Sequence, residues 1–237
     1  MTPRGTLTTA APLIPMNATL EKLKEAAAGC RACPLWISGT QTVFGDGLPT
    51  ARLILVGEQP GDQEDKQGLP FVGPAGRVLD EALELAGIVR ADAYVTNVVK
   101  HFKWIAQGKR RLHQKPNSRE IGACLPWLDA EIDLIRPQVL VAMGSTAAQA
   151  LLGKDTLVTR DHGKLLPYDK APYAVATVHP SSILRAPTDE DRHAVLNELC
   201  TLPILPHNSF AKRGFPHRCP LPEGEGKWLH VIMKRCR

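Results

Sequence analysis

Residues 52–61 read RLILVGEQPG. Four aliphatic residues in a row, closed by a glycine and followed by a polar Pro-Gly turn, describe a strand buried on both faces that ends at the edge of a sheet. Three further stretches have the same character: AYVTNVV at 93–99, VLVAMG at 139–144 and YAVATV at 173–178. They are rich in β-branched residues, which suit a pleated, buried surface. Helical patterns fall between them. Residues 74–87 open on Pro74 and end on Gly87, residues 118–136 are stopped by Pro137, and residues 145–153 have Ser145 at the cap and Gly153 at the end. A short helix over 19–28 precedes the first strand, and an amphipathic helix over 188–202 follows the last. This alternation predicts an α/β protein: three layers, α/β/α, around a central four-stranded, mostly parallel sheet. In such sheets ligands bind beyond the carboxyl ends of the strands. The four exits carry Glu58 to Asp62, Lys100 to Lys103, Gly144 to Thr146 and His179 to Ser182.

A chain of 237 residues with 43% hydrophobic content can bury a substantial core, and with only 5% aromatics that core must be mostly aliphatic. The expected organisation is a flexible N-terminal arm over 1–16, one domain over 17–205 and a poorly ordered C-terminal appendage over 206–237. No apolar run is long enough for a bilayer and the N-terminus lacks a continuous apolar segment, so a cytoplasmic protein without a membrane partner is expected, as a monomer. The net charge of +5 permits nucleic-acid binding without requiring it. The basic residues do cluster, however, at Lys109, Arg110 and Arg111, inside a loop over 103–117 that also holds Lys103, His113 and Lys115. Such a loop reads as a solvated phosphate contact.

Six cysteines in a chain of this kind argue against structural disulfides, and the Cys30–Cys33 spacing, C-x-x-C, favours metal, cluster or redox use. Glu58 and Gln59 sit on a tight turn where a carboxylate beside an amide could position water or stabilise a cation. No Gly-Lys-Ser/Thr follows, so the turn is not a Walker phosphate loop. His179 directly follows a strand, Ser181, Ser182 and Arg185 can meet phosphate oxygens, and Ile183 and Leu184 would project from an exposed loop unless they wedge into something.

The motifs GEQPG at 57–61, GLPFVGPAG at 68–76, TNVVK at 96–100 and HPSSILR at 179–185 occur in order at matching strand ends. Together they resemble the uracil-DNA glycosylase superfamily, over about residues 20–202. The C-x-x-C pair and the GEQPG form resemble its iron–sulfur family 4, and GKRRLH at 108–113 resembles the loop of the UdgX branch. The resemblance implies excision of uracil from DNA, with single-stranded DNA the preferred partner. A base must leave the stack before its glycosidic bond can be reached. It further implies that Gly57, Asp62, Phe71 and Asn97 form the base site, with Phe71 stacking and the Asn97 amide matching O4 and N3–H of uracil. His179 would stabilise charge on uracil O2, Glu58 and Gln59 would act at the sugar, and Lys109, Arg110, Arg111, Ser181, Ser182 and Arg185 would hold the DNA. His113 would attack C1′ and leave the protein crosslinked to the abasic site after one turnover.

Family 4 holds its cluster with four cysteines. Here the position after Lys100 is His101, and no cysteine lies between Cys33 and Cys124. The implied set is therefore Cys30, Cys33, His101 and Cys124 around a [4Fe–4S] cluster, since imidazole can ligate iron. The same residues would suit a Cys3His zinc site. Two other functions stay open: a turnover glycosylase in which Glu58 and Gln59 present water, and a non-catalytic iron–sulfur protein that binds DNA or senses redox state.

Overall fold

In the computed structural model, which describes residues 8–188, 190–192 and 196, the apolar runs become the sheet as their composition predicts. β1 (Leu53–Gly57), β2 (Ala93–Asn97), β5 (Val139–Met143) and β7 (Tyr173–Thr177) are parallel, in the order β2-β1-β5-β7. Register aligns the exits: Gly57 lies opposite Asn97, and Met143 opposite Thr177. Every residue of β1, β2 and β5 is buried, as expected for parallel strands covered on both faces. A fifth strand, β6 (Leu165–Leu166), adds antiparallel to β7 at the edge and is too short to leave a period in the sequence.

Helices α1 (Leu20–Ala28), α4 (Ser118–Ile135) and α5 (Ser145–Leu152) cover one face. Their Leu23, Ala27, Trp127, Leu128, Ile132 and Ala147 join Ile54, Val56, Leu140 and Ala176 of the sheet in the main core. Helix α3 (Pro74–Leu85) packs with α7 (Pro180–Arg185) through Val78, Ala82 and Ile183. Helix α4 begins at Ser118 as expected, capped by Asn117, which accepts from the Arg119 and Glu120 amides, whereas Gly144 rather than Ser145 caps α5. Gly144 is needed there, because its φ is +86° and a Cβ would stand 3.0 Å from His179 Cβ.

Three segments depart from the sequence reading. The HPSSILR stretch is the short helix α7, not a loop; Ile183 is buried under α3 and only Leu184 projects to solvent. The basic 103–117 loop contains a hairpin of β3 (Trp104–Gln107) and β4 (Arg110–His113), with Trp104 opposite His113. The segment expected as an arm is docked from Thr9 onward: Ala10 is fully buried, its amide donates to the Ala123 carbonyl at 2.8 Å, and Ala11–Leu13 form a 3-10 turn. Short apolar side chains anchor it point by point, which leaves no periodic signal. The helix expected over 188–202 lies largely outside the described residues, and the appendage over 206–237 lies wholly outside them. Among the described residues no helix is long and apolar enough to cross a membrane.

Candidate active site

The exits of β1, β2 and β7 meet at one end of the sheet. Gly57 ends β1 between two side chains: a Cβ there would lie 2.5 Å from Asn97 Oδ1 and 2.6 Å from Phe71 Cζ. Only glycine lets the amide and the ring approach this closely. Phe71 itself has a positive φ of 54°, an uncommon conformation for an aromatic residue that is found at sites over-determined by their surroundings. Helix α2 (Asp62–Gln67) supplies part of the surroundings. The Glu64 carboxylate accepts the Gly61 amide at 3.0 Å and the Gly73 amide at 2.7 Å, tying together the two loops that flank Phe71. The ring of His179 lies 6.0 Å from that of Phe71, tilted by 33°. Asn97 is buried, and its Oδ1 has no hydrogen-bond partner. A buried acceptor left unpaired costs on the order of 1–3 kcal/mol, so it marks a place where a ligand donor belongs.

His179 is prepared by its helix. The Ser181 amide donates to Nδ1 at 3.1 Å, so Nδ1 carries the lone pair and the proton of the neutral ring is on Nε2. Burial first, then the charges of Arg185 and His113, depress its pKa to about 4, so the ring is neutral at neutral pH. Arg185 Nη1 donates to Ser181 Oγ at 3.0 Å, and that hydroxyl lies 2.8 Å from Nδ1. Ser181 is therefore committed to the ring, and Ser182 Oγ donates to the His179 carbonyl. Both hydroxyls are thus engaged within the protein, whereas the sequence predicts them on phosphate.

Glu58, the residue after Gly57, has its Oε1 3.3 Å from His113 Nε2 at the end of β4. Partial burial, with Arg185 adding and Glu58 opposing, lowers the His113 pKa and keeps a lone pair on the ring at neutral pH. Thr146 in the first turn of α5 donates to Glu58 Oε2. The sequence alone assigns no chemistry to the Gly144-Ser145-Thr146 exit.

The hairpin that carries His113 is held by residues the sequence reading had given other tasks. Gln59 is not turned toward the site. Its Nε2 donates to the Lys103 carbonyl at 3.3 Å and the Gln114 carbonyl at 3.0 Å, and its Oε1 accepts the Lys103 amide at 3.1 Å, clamping both ends of the hairpin to β1. Arg111, expected on DNA, and Asp62, expected at the base, hold each other instead. Arg111 Nε meets Asp62 Oδ1 at 2.5 Å and Nη1 meets the buried Asp65 at 2.6 Å, while the guanidinium lies 5.4 Å from the rings of Phe102 and Trp104. Lys103 pairs with Glu120 at 2.8 Å. Lys109 and Arg110 are exposed at the hairpin tip.

The other sequence-predicted cluster lies behind the β2 exit. Cys30, Cys33 and Cys124 are buried and unpaired. Burial pushes the Cys33 thiol up to about 11 and the Cys124 thiol up to about 12, with the charge of Cys30 acting on both in the same direction. Trp127 Nε1 donates to Cys30 Sγ at 3.3 Å, and the Lys100 amide to Cys124 Sγ at 3.2 Å. His101 is buried, and its Nε2 lies 3.1 Å from Thr42 Oγ1. That hydroxyl already donates to the Ala27 carbonyl, so His101 Nε2 is the donor and Nδ1 keeps the lone pair. Burial lowers the His101 pKa to about 4. The strand exit is braced by Glu131 of α4, fully buried, which receives the Gly45 amide, the Tyr94 and Thr96 hydroxyls and the Lys100 ammonium. Among the described residues no three His, Cys, Asp or Glu side chains converge on a single ion-sized point.

Residues 44–200 match the family model of the uracil DNA glycosylase superfamily. The chain is 38% identical to a type-4 uracil-DNA glycosylase of Thermotoga maritima, over 76% of this chain and 91% of that one. It is 36% identical to the type-4 uracil-DNA glycosylase of Sulfurisphaera tokodaii, over 71% and 77%. A type-5 uracil-DNA glycosylase of Thermus thermophilus is more distant, at 26% over 68% and 86%. The matched region holds every strand exit of the sheet, the pocket of Gly57, Phe71, Asn97 and His179, and the hairpin that ends at His113. This chain belongs to the uracil-DNA glycosylase superfamily.

Proposed function

We propose that the protein excises uracil from DNA and is left covalently attached, through His113, to C1′ of the abasic sugar. Of all the observations, the 3.3 Å approach of His113 Nε2 to Glu58 Oε1, at the rim of a pocket with an unpaired Asn97 acceptor, carries most weight. Uracil presents N3–H as a donor to Asn97 Oδ1, and its face to Phe71. The C1′–N1 bond breaks and its electron pair leaves with the base as an anion. His179 donates from Nε2 to uracil O2, where that charge collects. The Glu58 carboxylate stabilises the positive charge that develops on the sugar.

A lone pair of the neutral His113 ring then forms the bond to C1′. The ring becomes an imidazolium, whose charge Glu58 offsets and whose remaining N–H can give up its proton. Because a substituted imidazole leaves poorly from C1′, the reaction stops after one turnover. DNA is held by Lys109 and Arg110, and a single-stranded substrate avoids the cost of unpairing the target base.

Heat denaturation and gel electrophoresis of the protein incubated with a uracil-containing oligonucleotide tests this reading. A heat-stable shifted band is the expected result. Free abasic product without the band would favour ordinary turnover, and no uracil release would favour a binding protein.

We also propose a [4Fe–4S] cluster held by Cys30, Cys33, His101 and Cys124. Three buried sulfurs, two of them accepting N–H donors, and a neutral imidazole with a free Nδ1 form a suitable donor set. The same ligands would also serve a mononuclear zinc site, and it is the likeness to the type-4 enzymes that favours iron. The cluster is assigned a structural task, joining the N-terminal segment, the β2 exit and α4. Cys124→Ala should lose iron and melt at a lower temperature. Normal iron content and unchanged melting would remove Cys124 from the ligand set.

A further inference from the structure

Glu58 has two carboxylate oxygens with different neighbours. Oε1 faces His113 Nε2 at 3.3 Å, and Oε2 accepts a hydrogen bond from the hydroxyl of Thr146. Thr146 lies in the first turn of α5, directly after the β5 exit, and is only 5% exposed. Its hydroxyl has thus been removed from water and given to the carboxylate. The terminal torsion of a glutamate is broad and roughly two-fold, so an unrestrained carboxylate samples many orientations. A charge-assisted hydrogen bond to one oxygen selects among them. The support is itself rigid, since β5 is entirely buried and Gly144, the residue between strand and helix, is confined against His179.

We propose that Thr146 is a positioning residue: it holds Glu58 by one oxygen so that the other is kept for His113 and the sugar. The proposal rests on the reaction described above and adds a residue to it. Small losses of alignment at a nucleophile translate into large losses of rate. Glu58 serves both the departure of the base and the attack by His113, but the attack depends more on orientation, because two ring atoms and a sugar carbon must line up. Loss of the hydroxyl should therefore alter how excision events end more than how often they occur.

The test uses the full chain and a uracil-containing oligonucleotide, measuring uracil release and crosslink formation in the same reaction. Thr146→Val keeps the branched shape and removes the hydroxyl; Thr146→Ala is a second hydroxyl-free variant should the first fold poorly. Both should lower the fraction of excision events that end in a crosslink, about tenfold, the size expected for one such hydrogen bond. Thr146→Ser should restore it, and DNA binding and melting temperature should stay near wild type in the variant that folds. A general loss of stability would reduce release and crosslinking together and leave their ratio unchanged.

A wild-type ratio in the hydroxyl-free variants, or a serine variant as impaired as they are, overturns the proposal. Should the wild-type chain release uracil without crosslinking, the covalent step is wrong but Thr146 is still tested. Release should then slow about tenfold without the hydroxyl and recover with serine, and an unchanged release rate overturns the role. A wild-type chain that releases no uracil defeats the underlying reading and this proposal with it.

Discussion

The base pocket and the His113 hairpin lie side by side, yet they are built in opposite ways. Gly57 and Asn97 are the last residues of two fully buried parallel strands, and Phe71 is held in its left-handed conformation between loops that Glu64 ties together. His113 ends a two-stranded ribbon outside the main sheet and is half exposed. What the hairpin lacks in burial it gains in anchors: three bonds from Gln59, the Arg111 clasp on Asp62 and Asp65, and the Lys103–Glu120 pair. In the proposed reading, recognition rests on the rigid sheet and the nucleophile on an appended element fastened at fixed points. The two functions should therefore separate under mutation.

The largest effect should come from the pocket. In Asn97→Asp the amide is replaced by a carboxylate that cannot donate to uracil O4, within a buried site. Uracil release should fall by at least about a hundredfold, a barrier change of roughly 3 kcal/mol, while Lys109 and Arg110 still bind the DNA. Undiminished release, measured in single turnover, would remove Asn97 from recognition and blur the distinction between the two regions.

A smaller effect should come from the hairpin anchor. Arg111→Ala leaves the buried Asp65 with Thr40, whose amide at 2.9 Å and hydroxyl at 2.5 Å donate to it, but without a cation. The melting temperature should fall, and the crosslinked fraction should drop about tenfold as the hairpin loosens, with uracil release affected less. Equal loss of both would mean that the hairpin also shapes the base pocket.

These anchors explain what could be read from the sequence and what could not. The four parallel strands were legible as apolar, β-branched runs; His179 directly follows one of them, whereas Asn97 lies inside another, before Val98 and Val99, and only the resemblance singles it out. The hairpin was not. Ile105, Ala106 and Gln107 are exposed, and the strand pairing depends on contacts to Gln59, Asp62 and Asp65 that lie more than forty residues away in sequence. A basic run without visible partners reads as solvated, and Lys109 and Arg110 are indeed exposed, but Arg111 is held by Asp62 and Asp65. Glu64 left a faint trace, an acid three residues after Gly61 at capping-box spacing. Thr146 left only its position after a strand exit.

The smallest effect is that of pH. His113 has a pKa below the ordinary histidine value of 6.5, and His179 one of about 4. Each ring is neutral above its own folded-state value and gains a proton as the pH falls through it. Protonated His113 has no lone pair for C1′. The crosslinked fraction should therefore stay level down to about pH 6.5 and decline below it, whereas the contribution of neutral His179 to uracil release should last to nearer pH 4. Because burial favours the neutral form of His179 in the folded state, fold stability should also fall as the pH drops from 6.5 through 4. Trapping and release measured across this range should separate, and a common acid limb would argue that one group controls both.

The most direct measurement is a peptide map of the crosslinked product, set beside the behaviour of His113→Ser. The account predicts that the DNA-bearing peptide contains His113, and that His113→Ser loses the heat-stable band while still releasing uracil. A DNA-bearing peptide without His113, or a serine variant that crosslinks to the wild-type extent, would contradict it.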